Sequence, residues 1–525
     1  MFRRSLAPSL SSLAALLLAA CLPAAPSATP GGVAPAPDPG KPPLAENQRL
    51  VFATPSLSTD LDPHLTIGAT IRKWDMYETL VLLDEKGTAK PLLATRWELV
   101  SPTSWRFTLR QDAKFHDGTP FTSDDVVFSF NRLRKPELKS PVPGTLTSLD
   151  QVTAVDRFTV QMTTKYPDPL FVKRMWYVGM VSKAYVERVG DAVMVTTPMG
   201  TGPFRLKEFK PDDKLIITAW NEHPYRKPIL QEIEFQVVPD ANARTQGLRL
   251  GAVDYASLVS IETAASLKRE GFNLDPASDQ IAGVLFDAWG TDGNYGPTSN
   301  KLVRQAMNYA VDRETFARTI YHGLAKPVGV HIPEGVIGYN PAVRPFTYDL
   351  AKAKQLLAQA GYPNGFEVEM EFWVTGAETQ PTALYIQSQL KEIGVNVKLT
   401  PIDFPTFRDK IYKQKPIAPM YLGASGTAPM MDADYILVWA WGNNRAYGKR
   451  MNNAEFDRLY EAASAEMDAA KREKLLQEAA AVLQDDPSRL LLVSFAPQSA
   501  YAKHVGGIER LGEGLPLLDK LYRTK

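Results

Sequence analysis

The chain has 525 residues, 44% of them hydrophobic, and its 59 basic and 58 acidic side chains leave a formal charge of +1. That length suits two or three domains with sizeable cores, and the near-neutral balance gives no electrostatic case for nucleic acid. With Cys21 as its one cysteine, the chain can build no internal disulfide framework and no cysteine-based zinc site.

The N-terminus reads as an export leader. Arg3 and Arg4 precede an apolar run that peaks at Leu16-Leu17-Leu18, and small residues follow. The run is about a dozen residues, too short to span a bilayer. Leu18-Ala19-Ala20-Cys21 resembles a bacterial lipobox, in which the cysteine is lipidated and becomes the new N-terminus. Residues 1–20 are thus expected to be a lipoprotein signal peptide. Residues 21–47, with Pro23, Pro26, Pro30, Pro35, Pro37, Pro39, Pro42 and Pro43, are expected to form an extended tether.

The folded body should begin with a strand at Arg49-Leu50-Val51-Phe52. Trp105, Phe107 and Leu109 alternate with Arg106, Thr108 and Arg110, the period of a half-buried strand. Trp97 to Val100 and the turn-forming Ser101-Pro102-Thr103-Ser104 make it half of a hairpin. Thr122 and Asp125 stand at capping-box spacing before a helix that carries Val126, Val127 and Phe130. Strands are predicted over 214–219 and 233–237, and a helix from Asp240 to Leu250 with Gly251 as its stop. Leu302, Val303, Ala306, Met307 and Ala310 form one helical stripe, and another helix begins at Asp349 and ends at Gly361. Phe366, Val368, Met370 and Phe372 alternate with glutamates. A helix through Ile386, Leu390 and Ile393 follows, and Val395, Val397 and Leu399 alternate again. Strand, helix and strand within about 35 residues suit a parallel crossover. Two alanine-rich helices near 453–469 and 471–484 precede a last apolar strand from Leu490 to Phe495.

Few motifs carry chemistry. Gly200-Thr201-Gly202-Pro203 lacks the rest of a P-loop or dinucleotide fingerprint and reads as a structural turn. Gly423-Ala424-Ser425-Gly426-Thr427 is not a nucleophile elbow; it reads as a loop with accessible backbone amides. The six histidines show no metal-ligand spacing, so no protein-built metal site is expected, although a metal inside a small chelator would need few protein ligands. Asp432 and Asp434, beside Tyr435, are either solvated loop carboxylates or carboxylates that face a cationic group of a solute. Trp176, Trp289, Trp373, Trp439 and Trp441 are the aromatic candidates for lining a cleft. Trp373 ends a strand, where α/β sheets place ligands.

Taken in order, several segments resemble the bacterial family 5 extracellular solute-binding proteins, the dipeptide-, oligopeptide- and nickel-binding components of ABC importers. The segments are Leu61-Asp62-Pro63-His64, Tyr77 to Val81, Pro91 to Glu98, Trp105 to Arg110, Phe115 to Gly118, Asp124 to Ser129, Gly200 to Phe204, Val303 to Arg313 and Tyr348 to Leu357. The resemblance implies an α/β, two-lobed periplasmic-binding-protein-like fold (class II) with an extra β-rich domain inserted in the first lobe. By analogy the first lobe takes 48–68, 195–282 and 490–525, the insert 69–194 and the second lobe 283–489.

The implied function is non-catalytic: capture of a short peptide or peptide-sized polar solute in an interlobe cleft, with delivery to an ABC permease. No cofactor is implied, and the expected state is a monomer tied by lipid to a membrane, in the periplasm or on the outer face of the cytoplasmic membrane. The implied cleft residues are Gly68, Ala69, Thr70, Trp289, Trp373, Gly423, Ala424, Ser425, Thr427, Asp432, Asp434 and Tyr435. Peptide binders of this family tend to carry a tryptophan after the loop glycine, then an aspartate for the peptide ammonium. Ala424 and Thr427 stand there, so Asp432 or Asp434 would have to substitute. The alternatives are an extracytoplasmic hydrolase, for which no carboxylate pair is singled out, and a solute sensor on the same fold.

Overall fold

The computed structural model describes residues 43–58, 60–65, 74–277, 280–286, 296–373, 378–403, 406, 410, 418–426, 430–438, 451–511 and 516–525. The expected leader, Cys21 and residues 22–42 of the expected tether lie outside these residues; the end of that tether is instead part of the folded body, where Leu44 bridges Thr524 and the Ala45 amide donates to the Arg523 carbonyl at 2.9 Å. Residues 44–525 form one unit of their own, built around three main sheets, and among the described residues no helix is long and apolar enough to cross a membrane.

The first sheet has seven strands, in the order Asn273–Pro276, Gln498–Tyr501, Tyr255–Val259, Arg49–Thr54, Glu232–Val237, Lys214–Ala219 and Phe204–Lys210. Its centre is parallel, because Arg49–Thr54 runs alongside both Glu232–Val237 and Tyr255–Val259. Apolar clusters cover both faces, one around Leu50, Phe52 and Phe235 and the other around Val51, Ala53 and Leu267. A strand buried on both faces reads as a continuous apolar run, which is why Leu50 to Ala53 shows no alternation.

The second sheet has six strands, in the order Ala325–Pro327, Arg489–Phe495, Gln280–Phe286, Met420–Gly426, Phe366–Trp373 and Val395–Ile402. The predicted crossover is present: Phe366–Trp373 pairs in parallel with Val395–Ile402, and the helix Thr379–Lys391 joins them. Ile386 and Leu390 of that helix are fully buried in the same core as Met370 and Val395. Arg489–Phe495 is the predicted late strand, but it lies between Ala325–Pro327 and Gln280–Phe286, not in the first sheet. The expected lobe boundaries at 282/283 and 490 therefore cut through strands. Gln280–Phe286 and Arg489–Phe495 pair antiparallel with each other, and this pairing holds both in the second sheet.

Apart from these two sheets, the 69–194 region carries its own four-stranded antiparallel sheet, ordered Ala94–Ser101, Ser104–Leu109, Thr159–Thr164 and Leu149–Asp156. The predicted hairpin and helix are both here. The helix Ser123–Leu133 starts at Thr122, whose amide donates to the Asp125 carboxylate at 3.0 Å. Asp240 and Asp349 likewise cap the helices Ala241–Arg249 and Leu350–Gln359 by accepting amide hydrogen bonds at 2.7 and 2.8 Å.

Two buried arginines fasten the insert to the first sheet's layer. Arg132, fully buried, donates to Asp62 at 2.5 and 3.0 Å and to Asp191 at 2.7 Å. Arg226 donates to Asp75 at 2.6 and 2.9 Å and to Asp519, 293 positions away, at 2.7 and 3.0 Å. Gly200 and Gly202 are the structural turn expected of them: a Cβ on either would stand 2.1 Å from a carbonyl oxygen of Met76 or Asp75.

Candidate functional site

The two large sheets are connected through the ends of their strands. Gln498 pairs with both Val259 and Pro276 at one end of the first sheet, and Gln280 pairs with both Gly426 and Phe495 at one end of the second. The chain therefore crosses between sheets through residues 277–279 and returns through 496–497. The parallel strands of the first sheet, ending at Thr54, Val237 and Val259, finish on the side of these crossings, and so do Phe366–Trp373 and Met420–Gly426 of the second. Ligands in open α/β sheets bind beyond the carboxyl ends of strands, and here the carboxyl ends of both sheets converge on one region.

Contacts bridge this region near the crossings. Ile261 opens the helix Ile261–Glu270, and its amide donates to Glu378 Oε1 at 3.1 Å. The Ile261 side chain is buried in the core of the second sheet. Leu258, just before, is half exposed at φ +49°, a left-handed conformation that a leucine adopts only when its surroundings impose it. On the other flank the insert meets the second half: Lys173 Nζ donates to the Met430 carbonyl at 3.0 Å, and Arg174 Nη2 stands 3.7 Å from Asp434.

The expected cleft residues fall into three groups. Gly68, Ala69, Thr70, Trp289 and Thr427 lie outside the described residues, as do Trp439 and Trp441. Trp373 and the backbone of Gly423, Ala424 and Ser425 stand at the converging strand ends, with Trp373 partly buried and in register with Ile402. Asp432, Asp434 and Tyr435 lie just beyond, Asp434 and Tyr435 within the helix Asp434–Leu437.

The structure corrects the readings of Asp432 and Trp176. Asp432 is fully buried, and its two oxygens accept from Arg472 at 2.7 and 2.8 Å, with a further bond from the Asp434 amide at 3.0 Å. It is neither a solvated loop carboxylate nor available to a solute ammonium; it ties the loop to the helix Ala469–Asp485. Asp434 is also engaged, accepting from Tyr460 Oη at 3.0 Å. Burial pushes its carboxyl above the usual range while Arg174 pulls it back and Asp432 adds to the rise. Trp176 is 1% exposed inside the insert's core and lines no cleft.

The histidines are structural wherever their partners are defined. His64 Nδ1 accepts from Arg132 at 2.8 Å and its Nε2 donates to the Gly179 carbonyl at 2.9 Å. Among the described residues no cluster of three or more histidine, cysteine or acidic side chains could hold a metal.

Sequence reasoning missed Glu378, Lys173 and Met430, which bridge the two halves. No periodicity flags them, since each sits at an element's end or in a loop.

Two α/β halves with converging strand ends, joined by two crossings and enlarged by an inserted sheet, define a two-lobed solute-binding protein of the periplasmic type. Residues 88–448 match the family model of bacterial extracellular solute-binding proteins, family 5 (middle region), and the chain belongs to this family. It is 28% identical over 499 residues to heme-binding protein A of Haemophilus influenzae, covering 87% of this chain and 90% of that one. It is 26% identical over 475 residues to the glutathione-binding protein GsiB of Salmonella typhimurium, covering 87% and 91%. Among solved structures, HbpA2 from Haemophilus parasuis superposes with a TM-score of 0.77 at 26% identity, over 91% of this chain and all of the other. The chain is thus a solute-binding protein of an ABC importer.

Proposed function

We propose that the protein captures a short peptide or peptide-sized polar solute between its two halves and hands it, chemically unchanged, to an ABC permease. The observation that supports this reading is the convergence of strand ends from both sheets at the crossings. The strand Met420–Gly426 pairs with its parallel neighbour as far as Phe372↔Leu422, and four further residues run on beside Trp373 and the end of that neighbour. Backbone placed there suits an extended ligand that adds strand-like hydrogen bonds, with Trp373 as an apolar wall. Glutathione, which the GsiB relative is named for binding, is a tripeptide of this size.

The mechanism is lobe closure about the two connections between sheets, from Pro276 to Gln280 and from Phe495 to Gln498, with the first lobe and insert moving against the second. A solute that contacts both lobes binds the closed form more strongly and shifts the population toward it. Because Asp432 is committed to Arg472, the ammonium-holding aspartate of peptide binders has no replacement at that position, so backbone and aromatic contacts carry more of the recognition. Cys21 would carry the lipid and residues 22–43 the spacer that lets a monomeric body work in the periplasm or on the outer face of the cytoplasmic membrane. The test is thermal stabilisation across a library of di- to pentapeptides, sugars and metal chelates. A shift confined to peptides of one length class supports the reading, and no shift with any peptide rejects the peptide assignment.

A further inference from the structure

Met430 belongs to the second half by chain and to the insert by packing. Its side chain is 2% exposed and lies in the insert's core, with Phe171, Val172 and Trp176 of that core. The chain changes allegiance within one residue. Met431 O accepts from the Ile337 amide at 3.1 Å, the Ala433 amide donates to Ile337 O at 2.9 Å, and Asp432 is locked to Arg472. From Met431 onward, then, the segment is built rigidly into the second half.

Met431 itself holds φ +48°, the left-handed turn that aims Met430 away from its own lobe. The insert is shaped to receive it. Gly87, at φ +68°, lets its backbone approach so closely that a Cβ there would stand 2.3 Å from Met430 O. Lys173 Nζ caps the same carbonyl at 3.0 Å.

We infer that Met430 is a detachable plug: a latch that engages the insert when the lobes close and leaves it when they open, and that contributes to closure without touching solute. This rests on the two-lobed reading above but not on the identity of the solute. Three features set the plug apart from an ordinary core residue. It stands on a base fixed to the opposite lobe, its receiving surface includes a glycine whose missing side chain makes room for it, and among the described residues its polar partner across the seam is the Lys173 ammonium on its backbone carbonyl. Opening gives up one apolar side chain, this hydrogen bond and the 3.7 Å approach of Arg174 to Asp434 on the same flank, a small enough set of contacts to be reversible. Burial of a methionine shifts an equilibrium by roughly 10- to 100-fold.

The test needs no solute. Limited peroxide oxidation of the intact protein, read by mass spectrometry, compares Met430 with Met162, Met175 and Met180, which share its core and are each 0% exposed. A detachable plug oxidises at least about tenfold faster than these three, because only it leaves the core on opening. Amide exchange of Ile337 and Ala433 is followed in the same samples. If Met430 oxidises while these amides stay protected, the lobe has moved as a body. If the amides exchange as readily as Met430 oxidises, the segment is fraying locally and the inference fails. It also fails if Met430 is as protected as its three neighbours. Met430→Ser adds a second readout: the radius of gyration in solution should rise while the insert's own unfolding transition stays in place. A collapse of that transition would make Met430 a constitutive core residue and overturn the proposal.

Discussion

Replacing Asp432 by Asn tests whether this carboxylate holds the protein together or holds the solute. The side chains of Asp432 and Arg472 are 0% and 5% exposed and share two hydrogen bonds of 2.7 and 2.8 Å. Asparagine preserves the shape and one acceptor oxygen but leaves the guanidinium buried without its counter-charge. Breaking such a pair from one side costs about 3–5 kcal/mol. Asp434, whose own carboxyl feels the Arg472 charge, softens the loss, so the lower end of that range, about 3 kcal/mol, is expected. The assay is denaturant unfolding of the second half, followed by a probe placed on the helix Ala469–Asp485. The double variant Asp432→Leu with Arg472→Met should recover most of the loss, because no unpaired charge remains. The reasoning is refuted if Asp432→Asn leaves stability within about 0.5 kcal/mol of the parent while abolishing solute binding.

Arg226→Met should destabilise the junction of insert and first sheet by about 3–5 kcal/mol, since it strands Asp75, Glu78 and Asp519 in a buried site; calorimetry that found no loss would contradict the assignment. Burial, together with the Arg132 charge and against the pull of Asp62, holds the His64 imidazole down at about 4. The unfolded chain takes up a proton near 6.5 that the native site refuses, so this contribution is intact above pH 6.5 and is lost as pH falls toward 4, amounting to about 3 kcal/mol. An NMR titration in which the native His64 ring protonates near 6.5 would be incompatible with this. Gly87→Ala combines a positive φ with a Cβ 2.3 Å from Met430 O, so it should weaken closure while leaving secondary structure unchanged by circular dichroism. Unaltered scattering from that variant would count against the latch.

What could be seen in the sequence was what repeats locally. The alternation of Phe366 to Phe372, the stripe of Ile386 and Leu390, and the caps at Asp240 and Asp349 each announce an element, because strand and helix periods leave a pattern within a dozen residues. The family's motifs carried the two-lobed fold with its inserted sheet. Sheet membership was harder: nothing local tells Arg489–Phe495 that its partners are Gln280–Phe286 and Ala325–Pro327. The site suffered most. Asp432 looked like a loop carboxylate because its partner stands 40 residues away on another element, and Arg132 with Asp62 or Arg226 with Asp519 are equally silent at the level of spacing. A buried ion pair is a fact of three-dimensional packing, and one-dimensional patterns do not record it.

The central claim, that the converging strand ends form a trap for a solute that leaves unaltered, is tested most directly by native mass spectrometry of the gently isolated protein. The account predicts one peptide-sized molecule per chain, recovered intact after denaturation and held more weakly by Trp373→Ala than by the parent. A protein that retains no such molecule and stabilises with none, or that converts it to products on standing, would contradict it.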